Sequence, residues 1–190
     1  MEPIAIDAQL SLRPVARDDA STLFALVESN RLYLRQWLPW VDATASIDDM
    51  QGFLLSVTKD ADLGTDITLA ITLDDKVVGI CSLNAINTRP GQARIGYWLA
   101  ENYCGSGIMT RSVNALCHYG FATLKLHTLV LCAAEHNQKS RAVAERLGFH
   151  LSRKIMAAED LYGESINHIR YTLNPTQHRQ STYDPRHYSA

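Results

Sequence analysis

The chemically suggestive spacing in this 190-residue chain is the glycine pair Gly105 and Gly107, in the stretch Y-C-G-S-G-I-M-T over residues 103–110. Two glycines ahead of a helix leave backbone N–H groups bare and remove the Cβ atoms that would hold an anion off. The helix's first turn adds unpaired N–H groups and the positive end of its dipole. That combination suits a diphosphate. It equally suits a plain tight turn from strand to helix, and on these residues alone both readings stand. Two familiar phosphate loops do not fit: a Walker A loop needs a lysine directly after its last glycine, and none follows Gly107. The dinucleotide fingerprint needs a third glycine, where this chain has Thr110.

Regular elements must position that turn. Ile95, Tyr97 and Leu99 alternate with Gly96 and Trp98, which predicts a strand running into it. Met109, Val113, Leu116, Gly120 and Leu124 fall at steps of four and three, which predicts a helix leaving it. Upstream, residues 10–14 alternate as a first strand. Asp18 or Asp19 is placed to cap a helix through Leu23 and Val27, and a second helical piece through Tyr33 and Trp37 ends before Pro39. Ser46 and Asp49 make a capping box for a helix burying Ile47, Met50, Leu54 and Val57. Residues 67–73 and 77–83 form a hairpin around Asp74-Asp75-Lys76. Downstream come an apolar strand over 126–133, a helix opened by Asn137 or Ser140 and stopped by Gly148, and closing strands over 149–157 and 166–173. The order predicts an α+β (mixed α/β) fold with a mostly antiparallel sheet of about seven strands. A single domain is expected over 1–173. The tail, 174–190, lacks periodicity and is expected to be disordered.

The totals narrow the function classes. A net charge of −2 gives no argument for a nucleic-acid or membrane-surface partner. No run of 18 apolar residues exists and the N-terminus lacks a secretory pattern, so a cytoplasmic location is expected. Four cysteines without a C-x-x-C pair read as reduced thiols, mostly in the core. Seven histidines without H-x-x-H or H-x-x-x-H spacing make no metal site.

With I-G-Y-W-L before it and N-Q-K-S-R-A-V-A-E-R-L-G-F at 137–149, the glycine turn resembles that of the GNAT superfamily of acyl-CoA-dependent N-acetyltransferases. The stretch R-L-Y-L-R-Q-W-L-P-W at 31–40 resembles the branch that acetylates the N-terminal amine of ribosomal proteins. The resemblance implies a sheet splayed beside its fourth strand, with the pantetheine of acetyl-CoA in the gap. It implies that the diphosphate lies on Cys104, Gly105, Ser106, Gly107, Ile108, Met109 and Thr110. Pantetheine would pair with the main chain of Trp98, Leu99 and Ala100, with the Leu99 N–H facing the thioester carbonyl. Asn137 would contact the arm from the other side, and Ser140 would give a proton to the departing sulfur. A simple helix N-cap is the competing role for Ser140.

Two positions depart from the family pattern. Cys104 stands where glutamine or arginine is usual. Arg94 stands where the ribosomal-protein branch has a glutamate, and an arginine cannot act as a base. Glu101, His168 and Tyr97 are the remaining candidates for that role, and Arg94 could instead read an acidic group on the acceptor. Tyr33, Trp37 and Trp40 form either an aromatic wall around the acceptor or an apolar patch closing the helical insert onto the sheet. The implied activity is acetyl transfer to a protein N-terminus or a small-molecule amine by direct attack in a ternary complex. An acyl-CoA-binding module with little turnover is the alternative. The oligomeric state is left open, a homodimer included.

Overall fold

In the computed structural model, which describes residues 1–180, one eight-stranded sheet runs in the order β1-β2-β3-β4-β5-β6-β8-β7. The strands are β1 (Ile4–Ala5), β2 (Leu10–Pro14), β3 (Ile67–Leu73), β4 (Lys76–Asn87), β5 (Gln92–Leu99), β6 (Thr128–Ala134), β7 (His150–Leu161) and β8 (Glu164–Leu173). Every pairing is antiparallel except β5 with β6. The strand beyond the expected seven is β1, only two residues long and too short for a periodic signal. The β3–β4 hairpin turns at Asp74 and Asp75, both at positive φ (48° and 61°), the geometry whose twist matches the flanking strands.

Helices cover the two faces unequally. On one face α4 (Ile108–Ala122) and α5 (Gln138–Arg146) close a core of Val78, Leu83, Ile95, Leu116, Leu131 and Tyr171. On the other, α1 (Ala20–Ser29), α2 (Arg31–Arg35) and α3 (Ile47–Asp62) pack Leu23, Val27, Leu34, Met50 and Leu54 onto Ala70, Ile80 and Trp98. Helix α3 starts on the expected capping box, Ser46 accepting from the Asp49 N–H at 3.2 Å and Asp49 from the Ser46 N–H at 2.8 Å. Ile47 belongs to that first turn and is exposed rather than buried. Asp19 stands before α1, but its carboxylate turns back to Arg13 (2.7 and 2.8 Å) and the Ala16 N–H (2.7 Å), so it does not cap the helix. Gly148 (φ 76°) ends α5 as expected, with the Phe149 N–H reaching back to the Ala144 carbonyl.

Two further details bear on the site. Gly79 in β4 lies so close to β5 that a Cβ there would stand 2.3 Å from the Trp98 carbonyl oxygen. The start of the tail is ordered: α6 (Pro175–Gln180) follows a reciprocal cap in which Asn174 and Gln177 exchange side-chain-to-backbone bonds of 2.9 Å. His178 packs on Phe121 and lies 3.0 Å from the Asn114 side-chain oxygen. Residues 175–180, part of the tail expected to be disordered, thus form a short helix. The expectation for 181–190 lies outside the described residues.

Candidate active site

The parallel seam between β5 and β6 is short. It pairs Gln92 with Thr128 through Ile95 with Leu131 and stops. Beyond it β5 stays with β4 as far as Leu99 opposite Gly79, while β6 stays with β8 as far as Ala134 opposite His168. The sheet therefore opens into a V between residues 96–99 and 132–134. Ala100 donates its N–H to the Val78 carbonyl at 3.0 Å. Along an antiparallel strand alternate residues face the same neighbour, so Trp98 also directs its main-chain groups to β4. Tyr97 and Leu99 turn theirs into the V. Of the three residues expected to pair with an incoming arm, only Leu99 has main-chain groups to offer: those of Trp98 face β4, and Ala100 gives its N–H to Val78 while its carbonyl accepts from the Tyr103 N–H.

A cleft of about 400 Å³ occupies the V. Its walls bring together most of the residues singled out in the sequence. Tyr97, Trp98 and Leu99 come from β5, Cys104, Gly105 and Gly107 from the turn, and Ile108, Met109 and Thr110 from the first turn of α4. Asn137 and Ser140 face them from α5, and Tyr33 and Trp37 from the helical insert. Four expected residues lie outside the lining. Ala100 packs against β4, and the Ser106 hydroxyl folds back on the Tyr103 carbonyl at 3.0 Å. Trp40 packs at a tilt against Trp98 with ring centroids 6.2 Å apart, which makes it part of the patch that closes the insert onto the sheet. Arg94 is exposed on β5, one pair before the apex of the V.

The turn has the geometry an anion requires. Gly105 and Gly107 sit at φ 89° and 73°, where a side chain is strained, and a Cβ on Gly105 would meet nothing within 4 Å. The first bond inside α4 runs from the Arg111 N–H to the Gly107 carbonyl, so the N–H groups of Ile108, Met109 and Thr110 have no acceptor in the helix.

At the other wall the Asn137 side chain accepts from the Ser140 N–H at 3.0 Å and is the cap of α5. Ser140 is not the N-cap. Its hydroxyl is instead 2.9 Å from the Tyr97 hydroxyl, which also approaches the Ser140 carbonyl at 3.2 Å. Burial pushes the Tyr97 phenol up, against the smaller lowering from Ser140, so it stays protonated at neutral pH. A phenol held neutral is a donor, which removes Tyr97 as a base. Glu101 lines the cleft; His168 does not, and its Nε2 lies 3.3 Å from a Glu159 carboxylate oxygen. The departure at Cys104 is accommodated by Tyr33, whose hydroxyl is 3.2 Å from the Cys104 Sγ. Burial first, then that contact, pushes the Tyr33 phenol up.

Lys139 and Arg146 also line the cleft and escaped the sequence reading. With Val143 they fall at steps of four and three along α5, so they share the face turned to the cleft. The Lys139 ammonium lies 5.2 Å from the centre of the Tyr33 ring.

Residues 9–150 match the acetyltransferase (GNAT) domain family. The chain is 30% identical over 160 residues to the ribosomal-protein-serine acetyltransferase of Escherichia coli (strain K12), covering 84% of this chain and 89% of that one. Its fold superposes on RimL, a ribosomal L7/L12 alpha-N-protein acetyltransferase solved with coenzyme A, with a TM-score of 0.87 at 30% identity over 91% of this chain and 98% of that one. It superposes equally on the microcin C7 self-immunity acetyltransferase MccE, solved with acetyl-CoA and AMP (TM-score 0.85, 29% identity, 89% and 94% covered). With a splayed parallel seam, a glycine turn onto a helix and a capped serine opposite, this chain belongs to the GNAT family and is an acetyl-CoA-dependent N-acetyltransferase.

Proposed function

We propose that the enzyme acetylates the N-terminal α-amino group of a protein, of the kind its ribosomal-protein relatives modify, by direct attack in a ternary complex. The observation that carries the chemistry is Ser140: Asn137 has taken over the capping role, and Tyr97 holds the freed hydroxyl at the mouth of the V.

The cleft fits acetyl-CoA on its own features. The bare N–H groups of Ile108, Met109 and Thr110, with Gly105 and Gly107 beside them, suit a diphosphate. Lys139 and Arg146 add positive charge along the opposite wall. The free main-chain edge at Tyr97 and Leu99 suits an amide-bearing arm that adds like a strand, with Asn137 contacting it from α5. When bound, the coenzyme supplies an acetyl group activated as a thioester. The Leu99 N–H then faces the charge that develops on the acyl oxygen, and the Ser140 hydroxyl donates its proton to the sulfur. Glu101, the one carboxylate among the lining residues, receives the proton of the incoming ammonium, directly or through water. Tyr33 and Trp37 wall the acceptor end and keep bulk water out.

Thiol release from acetyl-CoA, followed with short peptides and with small amines, tests this. Peptides with a free N-terminus should accelerate release and blocked peptides should not. Acceleration by small amines alone would make this a small-molecule acetyltransferase, the reading that the likeness to MccE favours. No acceleration by any amine would leave only a coenzyme-binding module.

A further inference from the structure

On the side of the sheet away from α4 and α5, the strands β5, β6, β8 and β7 carry an arginine strip that the transfer chemistry does not use. Ala93, Ile95, Leu131, Ala133, Ile169 and Tyr171 point into the α4–α5 core. Alternation therefore sends Arg94, Cys132 and Arg170 to the opposite face. Register fixes their neighbours: Arg94 lies opposite Val130, Cys132 opposite Arg170, and Arg170 opposite Arg153. Arg94 is one pair short of the apex of the V, and Cys132 is the first β6 residue beyond it. A coenzyme whose charged end rests at the start of α4 and whose arm threads the V presents its acyl group on this arginine face.

Among the described residues none of the three arginines forms an ion pair. Arg170 reaches only the Ser152 hydroxyl, at 3.2 Å. Of the nearby carboxylates, Glu159 lies 3.3 Å from the His168 Nε2 and Asp66 accepts from the Ala85 N–H at 3.1 Å; among the described residues neither meets an arginine. Unpaired cations gathered beside a reaction mouth, in a chain of net charge −2, favour an anionic occupant. At about 4.8 Å between strands and about 3.3 Å per residue, Arg94 and Arg170 lie roughly 12 Å apart along the strip, the reach of three or four residues of extended chain.

We propose that Arg94, Arg170 and Arg153 form a docking strip for the acceptor's own chain, selecting N-termini followed within a few residues by aspartate or glutamate. The proposal rests on the reading of the acceptor as a protein N-terminus. Three peptides sharing one N-terminal serine, with acidic, neutral-amide or lysine side chains at the next few positions, test it on the full-length enzyme. By the size of exposed charge pairs, kcat/KM should be about tenfold higher for the acidic peptide than for the neutral one, and lowest for the lysine peptide. The ratio should collapse at roughly 0.5 M salt, where screening is strong. It should also collapse, through KM, in the double variant R94Q/R170Q, and R94E should push it towards the lysine peptide. Retained acetyl-CoA affinity, measured by calorimetry, verifies that the variants fold. Equal rates for acidic and neutral peptides, or a ratio that survives R94Q/R170Q, overturns the strip alone. Failure to acetylate all three peptides overturns the N-terminal reading and the strip with it.

Discussion

Ser140 and Tyr97 divide one task between them. In the proposed mechanism Ser140 passes its proton to sulfur, and Tyr97, protonated throughout the neutral range, holds that hydroxyl in place. Ser140→Ala should lower kcat about 100-fold, the lower range for loss of a positioned proton donor, while acetyl-CoA affinity stays nearly constant. Tyr97→Phe should lower kcat by less, about threefold to tenfold, because the donor survives with more freedom. The deficit should shrink when the acyl donor carries a more acidic thiol, which needs its proton less; a merely structural role for Tyr97 would be indifferent to the leaving group. The sequence named both residues, Ser140 as proton donor through the family resemblance and Tyr97 as a candidate base, but not the bond between them. That hydrogen bond spans 43 positions along the chain and leaves no periodic trace.

The turn into α4 shows how an element makes a site that no single side chain defines. Its contribution is shape: two glycines at positive φ and three N–H groups without helical partners. Gly107→Val should cut acetyl-CoA affinity at least about 100-fold by calorimetry. A β-branched residue at φ 73° costs roughly 1–3 kcal/mol and also fills the space an anion must enter. The fold should survive, seen as a cooperative melt only a few degrees lower. Elements with strong patterns were readable: the alternating strands, the β3–β4 hairpin and the capped helix α3. What was not readable had another cause in each case. Strand β1 is too short for alternation, Asp19 found a stronger partner in Arg13, and α6 hides its start in a reciprocal Asn174–Gln177 cap rather than a serine or threonine one.

For the molecule as a whole, the short seam means that two half-sheets, β1 to β5 and β6 to β8, share only four residue pairs. A ligand that lies in the V and bonds to both walls reinforces this short join. Acetyl-CoA at about 100 times its Kd should add about 2.7 kcal/mol to stability, which for a chain of this size raises the melting temperature by roughly 5–10 °C. A thermal-shift titration checks this, and an unchanged midpoint at saturating coenzyme would mean the V does not receive it. The fold class and the mostly antiparallel character of the sheet followed from element order, but the point at which the seam stops did not. Residues 95–99 and 126–133 read as two unbroken strands, and nothing in either marks Ile95 and Leu131 as their last contact.

Gly79 never touches the contents of the slot, yet it sets the slot's gauge. A methyl group at that position would strike the Trp98 carbonyl, and β5 could give way only towards the gap on its far side. Gly79→Ala should therefore behave as a tightened jaw. Donors with bulkier acyl groups would be shut out first, and acetyl itself would follow as the opening narrows.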